Sequence, residues 1–200
     1  MTIGCSAPFL MAPGSGPQRS TGAREPLATV VQVFVVGIDP GLSRCGYGAV
    51  LKGPGGLQVR AIGVIRTSPQ DPLPQRLAEL QGELQALFAE LRPDVVAVER
   101  IFFQNNVRTA MSVGQASGLA MAEAVGAGCE VAQYSPNEVK LAVTGDGAAD
   151  PQQVPVMVQR LLGLATIPKP ADAADAAALA LCHLAHAPVQ ARLAAAGAKR

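Results

Sequence analysis

Between residues 30 and 187, apolar positions recur in two rhythms, and the switches between them predict the order of elements. Residues 30–39 (VVQVFVVGID) are rich in β-branched side chains and end on Asp39, where Pro40 and Gly41 force a turn. Residues 45–51 and 58–66 read as two further short strands, joined through PGLS and KGPGG, and such short connections predict an antiparallel three-stranded meander. Residues 73–91 then change period: Leu77, Leu80, Leu84, Leu87, Phe88 and Leu91 recur at helical spacing, and Pro93 stops the run. The short run DVVAVE, residues 94–99, reads as a buried strand that ends in Glu99, as the first strand ends in Asp39.

Residues 107–126 read as a helix carrying Ala110, Ser112, Gly114, Ala116, Ser117, Gly118 and Ala120. Each glycine costs about 1 kcal/mol of helix stability, which points to a closely packed face and makes this helix the candidate surface for a second copy of the chain. Residues 130–133 form a fifth short strand. Residues 137–143, 151–162 and 171–187 follow as helices, the second with Asp150 as its N-cap and Pro151 at its first position. The order β-β-β-α-β-α-β-α-α-α predicts an α/β fold, a mixed five-stranded sheet with helices on both faces.

Composition narrows the picture. The chain has 200 residues, enough for one domain with a sizeable core, and its 49% hydrophobic but only 4% aromatic content predicts a core of Ala, Val and Leu. Residues 1–29 are rich in Gly, Pro, Ser and Thr and read as a disordered N-terminal extension, or as the result of too early a start codon, without the basic start and long apolar stretch of a secretory signal. The expected layout is therefore this extension, a folded unit over residues 30–187 and a tail over 188–200. No apolar run reaches the roughly 20 residues of a membrane span. Cys5, Cys45, Cys129 and Cys182 show neither a CxxC pair nor zinc spacing, which predicts reduced, packed thiols and a cytoplasmic protein.

The candidate chemistry lies in carboxylates. Asp172 and Asp175 stand three residues apart in KPADAADAAALALCHL, about 300° around a helix, and so lie a turn apart on one face. A cap role explains Asp172 but not Asp175, which falls within an otherwise apolar helix where a lone charge is costly. No run of Lys or Arg accompanies Asp39, Glu99, Asp172 or Asp175. Oxygen ligands without matching cations suit Mg²⁺ or Mn²⁺, and two such ions could activate a water and stabilise the leaving oxygen of a phosphodiester. With those four set aside, the formal balance is 16 basic against 11 acidic groups, more hospitable to nucleic acid than the total of +1. His183 is eight residues beyond Asp175, about 12 Å along a helix and too far to share its ion, and both it and His186 are expected to be packing or surface histidines.

GIDPGLSRCGYG, VAVERIFFQNN, VGQASG and PADAADA closely resemble the RuvC family of bacterial Holliday-junction endonucleases, over about residues 33–187. The resemblance implies an RNase H-like fold, a homodimer, paired metal-dependent nicks in four-way junction DNA that leave 5′-phosphate and 3′-hydroxyl ends, and work beside the branch-migration proteins RuvA and RuvB. It implies that Asp39, Glu99, Asp172 and Asp175 are metal ligands, that Phe102 inserts against junction bases, and that Lys140 lies near the scissile phosphate. Core packing is the competing account of Phe102 and Phe103, and a solvated helix face that of Lys140. GDGAADP departs from the family by placing Pro151 where a lysine is common, leaving Arg108 and Arg160 as available cations. Two other readings stay open: a junction-binding protein that does not cut, and an actin-like or sugar-kinase-like ATPase, for which GIDPGLS would be a phosphate-binding hairpin. The ATPase fold usually needs a second such hairpin, which the chain does not show.

Overall fold

The structure, a computed structural model, describes residues 32–100 and 107–197, with side chains described except at 107–109 and 188–197. Five strands, β1 (Val33–Asp39), β2 (Arg44–Gly53), β3 (Gly56–Arg66), β4 (Val95–Glu99) and β5 (Glu130–Tyr134), form one sheet in the order β3-β2-β1-β4-β5. The first three pair antiparallel as a meander, while β4 runs parallel to β1 and β5 parallel to β4. The expected mixed sheet is therefore present. Because β1 and β4 are parallel neighbours, with Ile38 beside Val98, their carboxyl ends emerge side by side and bring Asp39 next to Glu99. Open α/β sheets generally bind ligands at such an edge.

Five helices cover the two faces: α1 (Leu73–Leu91), α2 (Val107–Gly126), α3 (Pro136–Thr144), α4 (Gln153–Leu161) and α5 (Ala171–Gly197). Strand alternation sorts the core between them. Val36, Ile38, Ala49, Val96 and Val98 point to one face and bury Leu80, Leu84 and Phe88 of α1 with Ala116, Ala120 and Ala124 of α2. Val35, Val50, Val95 and Ala97 point to the other and pack on the alanine-rich α5, with Val139 and Val143 of α3 and Val154 and Val158 of α4.

The approach of α5 to the sheet depends on glycine. Gly37 and Gly48 are direct partners across β1 and β2, and Gly46 is the partner of Asp39. A Cβ at Gly48 would stand 2.5 Å from the Cα of Ala177, one at Gly37 would overlap the carbonyl oxygen of Ala176, and one at Gly46 that of Asp172. Helix backbone thus lies on sheet backbone with almost no side chain between them.

Several boundaries differ from expectation. Strands β2 and β3 run on to Gly53 and Gly56, because the ladder continues to the turn itself, with a bulge near Ala49 and Val50 absorbing Arg60. Helix α3 starts at Pro136 behind a capping box made by Ser135 and Glu138. Helix α4 starts at Gln153, not at Pro151. The Oδ1 of Asp150 accepts from the Gln152 amide at 2.8 Å, closing a turn that holds Pro151 ahead of the helix. Helix α5 does not stop at Ala187 but continues through Pro188 to Gly197, carried by alanines with strong helix propensity.

The small residues of α2 divide between two faces. Its buried alanines pack on α1 and the sheet, whereas Gly114 and Gly118 are exposed with nothing within 4 Å of an added Cβ. Two opposite outcomes are expected on replacing glycine. Gly37→Val should destabilise the fold by about 3 kcal/mol or more, since the colliding group is backbone and cannot rotate away. Gly82→Ala, in an exposed turn of α1 with open space around it, should stabilise by about 1 kcal/mol. Denaturant unfolding midpoints measure both, and a neutral Gly37→Val would show that α5 is free to lift.

Candidate active site

The four carboxylates singled out by sequence come from three elements and converge at one edge of the sheet. Asp39 ends β1, Glu99 ends β4, and Asp172 and Asp175 lie in the first two turns of α5. Asp39, Glu99 and Asp175 line one small pocket of about 110 Å³ together with Lys140 and Val139 of α3, Pro151, and Val154 of α4.

Electrostatics identifies Asp39 as the hub. Burial first, and then the charges of Glu99, Asp175 and Asp172, raise its pKa to about 7, while Arg44 pulls it down. Glu99 is raised by burial and by Asp175, and Asp175 by burial and by Asp172. Each of these three carboxylates therefore titrates in the field of its neighbours. Sequence places Asp175 in an apolar surround, but its side chain is exposed on the pocket side, with buried alanines flanking it only along the helix. That exposure lowers the cost of the charge, although partial burial of the carboxyl still raises its pKa.

Sequence reasoning misses one cation. The Nε of Arg44 lies 3.3 Å from Oδ2 of Asp172, with side-chain exposures of 57% and 19%, so the carboxylates are not without a counter-ion. An exposed pair of this kind contributes about 0 to 1 kcal/mol and is readily exchanged. The signal lies in RCGYG. Arg44, Gly46 and Gly48 alternate on one face of β2, and the hairpin sets Gly46 opposite Asp39, so Arg44 has to fall on the carboxylate side of the sheet.

Lys140 and Pro151 both reach the pocket, so the departure from the family pattern at Pro151 sits on the pocket wall and Lys140 is the only cation among its lining residues. Arg160 lies exposed in the last turn of α4, outside that lining. Phe102 and Phe103 lie outside the described residues, as does the side chain of Arg108. The histidines pack, as expected. His183 is buried with Nδ1 at 2.9 Å from the Tyr134 hydroxyl, and His186 stacks on the same tyrosine. Cys45, Cys129 and Cys182 are buried free thiols, with Cys45 and Cys182 pushed up to about 12 by burial; Cys5 lies outside the described residues.

The donor set suits a hard divalent cation: carboxylate oxygens from three elements, mutual repulsion that a cation would relieve, and a pocket with room for water. Among the described residues no group of three such side chains is close enough together to hold an ion as they stand.

Comparison with known proteins fits this geometry. The family described as crossover junction endodeoxyribonuclease RuvC matches residues 35–183, which contain all four carboxylates. The chain belongs to the RuvC family. A crossover junction endodeoxyribonuclease RuvC from Salinispora arenicola is 55% identical over 163 residues, covering 81% of this chain and 93% of that protein. One from Streptomyces avermitilis is 52% identical over 161 residues, covering 80% and 91%. The structure of Thermus thermophilus RuvC in complex with Holliday junction substrate superposes with a TM-score of 0.74 at 37% identity, over 79% of this chain and 96% of that one. The yeast mitochondrial Holliday junction resolvase, 17% identical with a TM-score of 0.54 over 76% and 78% of the two chains, shares the fold. The sheet and helices are thus RNase H-like. The RuvC family is metal-dependent. Among the described residues no helix is long and apolar enough to cross a membrane.

The raised pKa of Asp39 sets a pH dependence for the metal-free protein. From about pH 4 to pH 7 the unfolded chain has lost this proton while the folded chain keeps it, so folding stability falls as pH rises through that window. Glu99 and Asp175 act in the same direction. In chelator at pH 8, Asp39→Asn should therefore be more stable than the unsubstituted protein by on the order of 2 to 3 kcal/mol after solvent screening, with the gain gone near pH 4. Chemical unfolding across that range measures it. A gain independent of pH would mean that the carboxylates do not repel.

Proposed function

We propose that this chain resolves four-way DNA junctions by paired symmetric nicks during recombination and repair, each nick made at the carboxylate pocket of one copy of the chain. The observation that carries this reading is the placement of Asp39, which feels the charges of all three other carboxylates at the carboxyl edge of the sheet. Asp39, Glu99, Asp172 and Asp175 are the residues that would hold the cations, with Asp39 the one whose charge meets those of the other three. Mg²⁺ or Mn²⁺, two per site, would supply a water acidic enough to attack a phosphodiester in line and a positive charge for the departing oxygen.

The protein's own groups hold the rest of the arrangement. Lys140, which lines the pocket from α3, would neutralise the phosphate being cut. Phe102 and Phe103, which follow β4, would stack on bases opened at the junction centre, and Arg108 would hold phosphate at the start of α2. A junction carries two opposed strands to be cut, so two copies related by a two-fold axis supply the two sites. The exposed stripe of Met111, Gly114, Gly118 and Val125 on α2 is the proposed contact between them. Cleavage yields 5′-phosphate and 3′-hydroxyl ends fit for ligation, in the cytoplasm, on junctions delivered by RuvA and RuvB. An N-terminal extension before residue 30 belongs to the same reading, and the folded unit after it runs through the end of α5 at Gly197.

Pro151 in the pocket wall supports a second reading, a protein that holds junctions without cutting them, since the cation common at that position in the family is lacking.

The deciding experiment is cleavage of a labelled mobile four-way junction in Mg²⁺ and in Mn²⁺. The chain should give paired nicks, and Asp39→Asn should lose at least about a hundredfold in rate, roughly 2.7 kcal/mol of barrier, while still binding the junction. Unchanged cleavage in Asp39→Asn would sink the nuclease reading, and tight binding with no product in either metal would establish the second. For the dimer, Gly118→Leu should sediment as a monomer that keeps its fold, because an added Cβ there meets open space within its own chain. A dimer that survives Gly118→Leu would move the contact elsewhere.

A further inference from the structure

Arg44 is the inner end of a larger basic feature. Its direct partner on β3 is Arg66, so two arginines stand opposite each other in the ladder on the side of the sheet where α5 begins. Like charges set opposite in this way are destabilising. Arg76 adds a third close by. Its Nη2 donates to Oγ of Ser43 at 2.6 Å and its Nε to Oγ1 of Thr67 at 3.1 Å, tying together the residues beside Arg44 and Arg66. Among the described residues Asp172 is the only acidic group that forms an ion pair, and its partner is Arg44, so Arg66 is not neutralised by one.

Arg66 also lines an open groove of about 710 Å³ that runs along Pro155, Ile167, Pro168, Lys169 and Pro170 to Ala171, the residue before Asp172. Lys169 and Arg66 are exposed on it, and the remaining lining is largely proline and isoleucine. This is a surface of two kinds of residue, two exposed cations among apolar side chains. A nucleic-acid backbone has the same division: phosphates outward, deoxyribose faces between them.

We propose that Arg66 and Lys169, continuing from Arg44, form a second phosphate-binding site that grips the DNA strand where it leaves the carboxylate pocket. The groove reaches Ala171, and its neighbour Asp172 pairs with Arg44 and acts by its charge on Asp39 of the pocket, so one strand passing Arg44 can reach both. Arg44 stands at the boundary and exchanges its pairing with Asp172 for the nearest backbone phosphate when the strand is seated. Arg76 positions the two loops and is not itself a contact. The inference rests on the reading of the chain as a junction endonuclease.

The test is binding of a four-way junction by the full chain in chelator, with log affinity followed against log salt, and cleavage in Mg²⁺ followed separately. Removing one cation from a phosphate should reduce the salt slope by roughly 0.9, so Arg66→Gln with Lys169→Gln should flatten it by roughly 2 and weaken binding on the order of tenfold or more. The maximal cleavage rate at saturating junction should stay unchanged while KM rises. Arg66→Lys with native Lys169 should keep the slope. Arg60→Gln removes the same charge from β3 about 20 Å along the strand and should leave both slope and KM unchanged. If the unsubstituted chain cuts normally and the double variant behaves like Arg60→Gln, the groove is not a DNA site and the nuclease reading stands. A fall in maximal rate with an unchanged slope would also overturn the groove, by showing action on the cutting step. If the unsubstituted chain neither binds nor cuts junctions, both readings fall.

Discussion

Everything at the carboxylate edge depends on the contact between α5 and the β1–β2 hairpin. The helix can lie on the sheet only because Gly37, Gly46 and Gly48 present no side chain toward it and because its own facing residues are alanines. The consequence is positional. Gly46 is both the ladder partner of Asp39 and the residue on which the Asp172 backbone rests, so one contact sets the distance between the strand-borne and helix-borne carboxylates. A larger residue at any of the three glycines would move the acids apart before it exposed any core.

Close approach makes the edge electrostatically costly. Four acids share a space that is partly dry, and Asp39 responds by holding its proton up to about pH 7. Strain of this sort belongs to sites that await a ligand: the repulsion that lowers the stability of the empty protein becomes favourable attraction once divalent charge is present. Arg44 is a partial substitute for that charge. Its exposure lets it leave, which a buried partner could not do without stranding Asp172.

Much of this is legible along the chain. The rise and fall of apolar runs locates all ten elements, since a two-residue period and a 3.6-residue period are local properties of strand and helix. The repeated motif of an apolar strand ending in an acid singles out Asp39 and Glu99, and the two aspartates among alanines single out Asp172 and Asp175. The differences lie at boundaries. An Asp followed by Pro fits a helix cap, yet the side chain of Asp150 closes a turn before the helix, and both uses satisfy the same backbone donors. Pro188 fits a helix stop, but a long alanine-rich helix carries past it.

Local pattern determined the strands, the helices and the identity of the four acids, because those follow from which neighbours a residue has within a few positions. The tertiary structure decided what faces what. It turned the small residues of α2 into an inner face of alanines and an outer face of glycines, exposed Asp175 to the pocket, and brought Lys140 and Pro151 from separate segments to the same wall. It set Arg44 on Asp172 and opposite Arg66. These pairings join residues far apart in the chain, and only the register of the ladder and the seat of α5 on glycine bring them together.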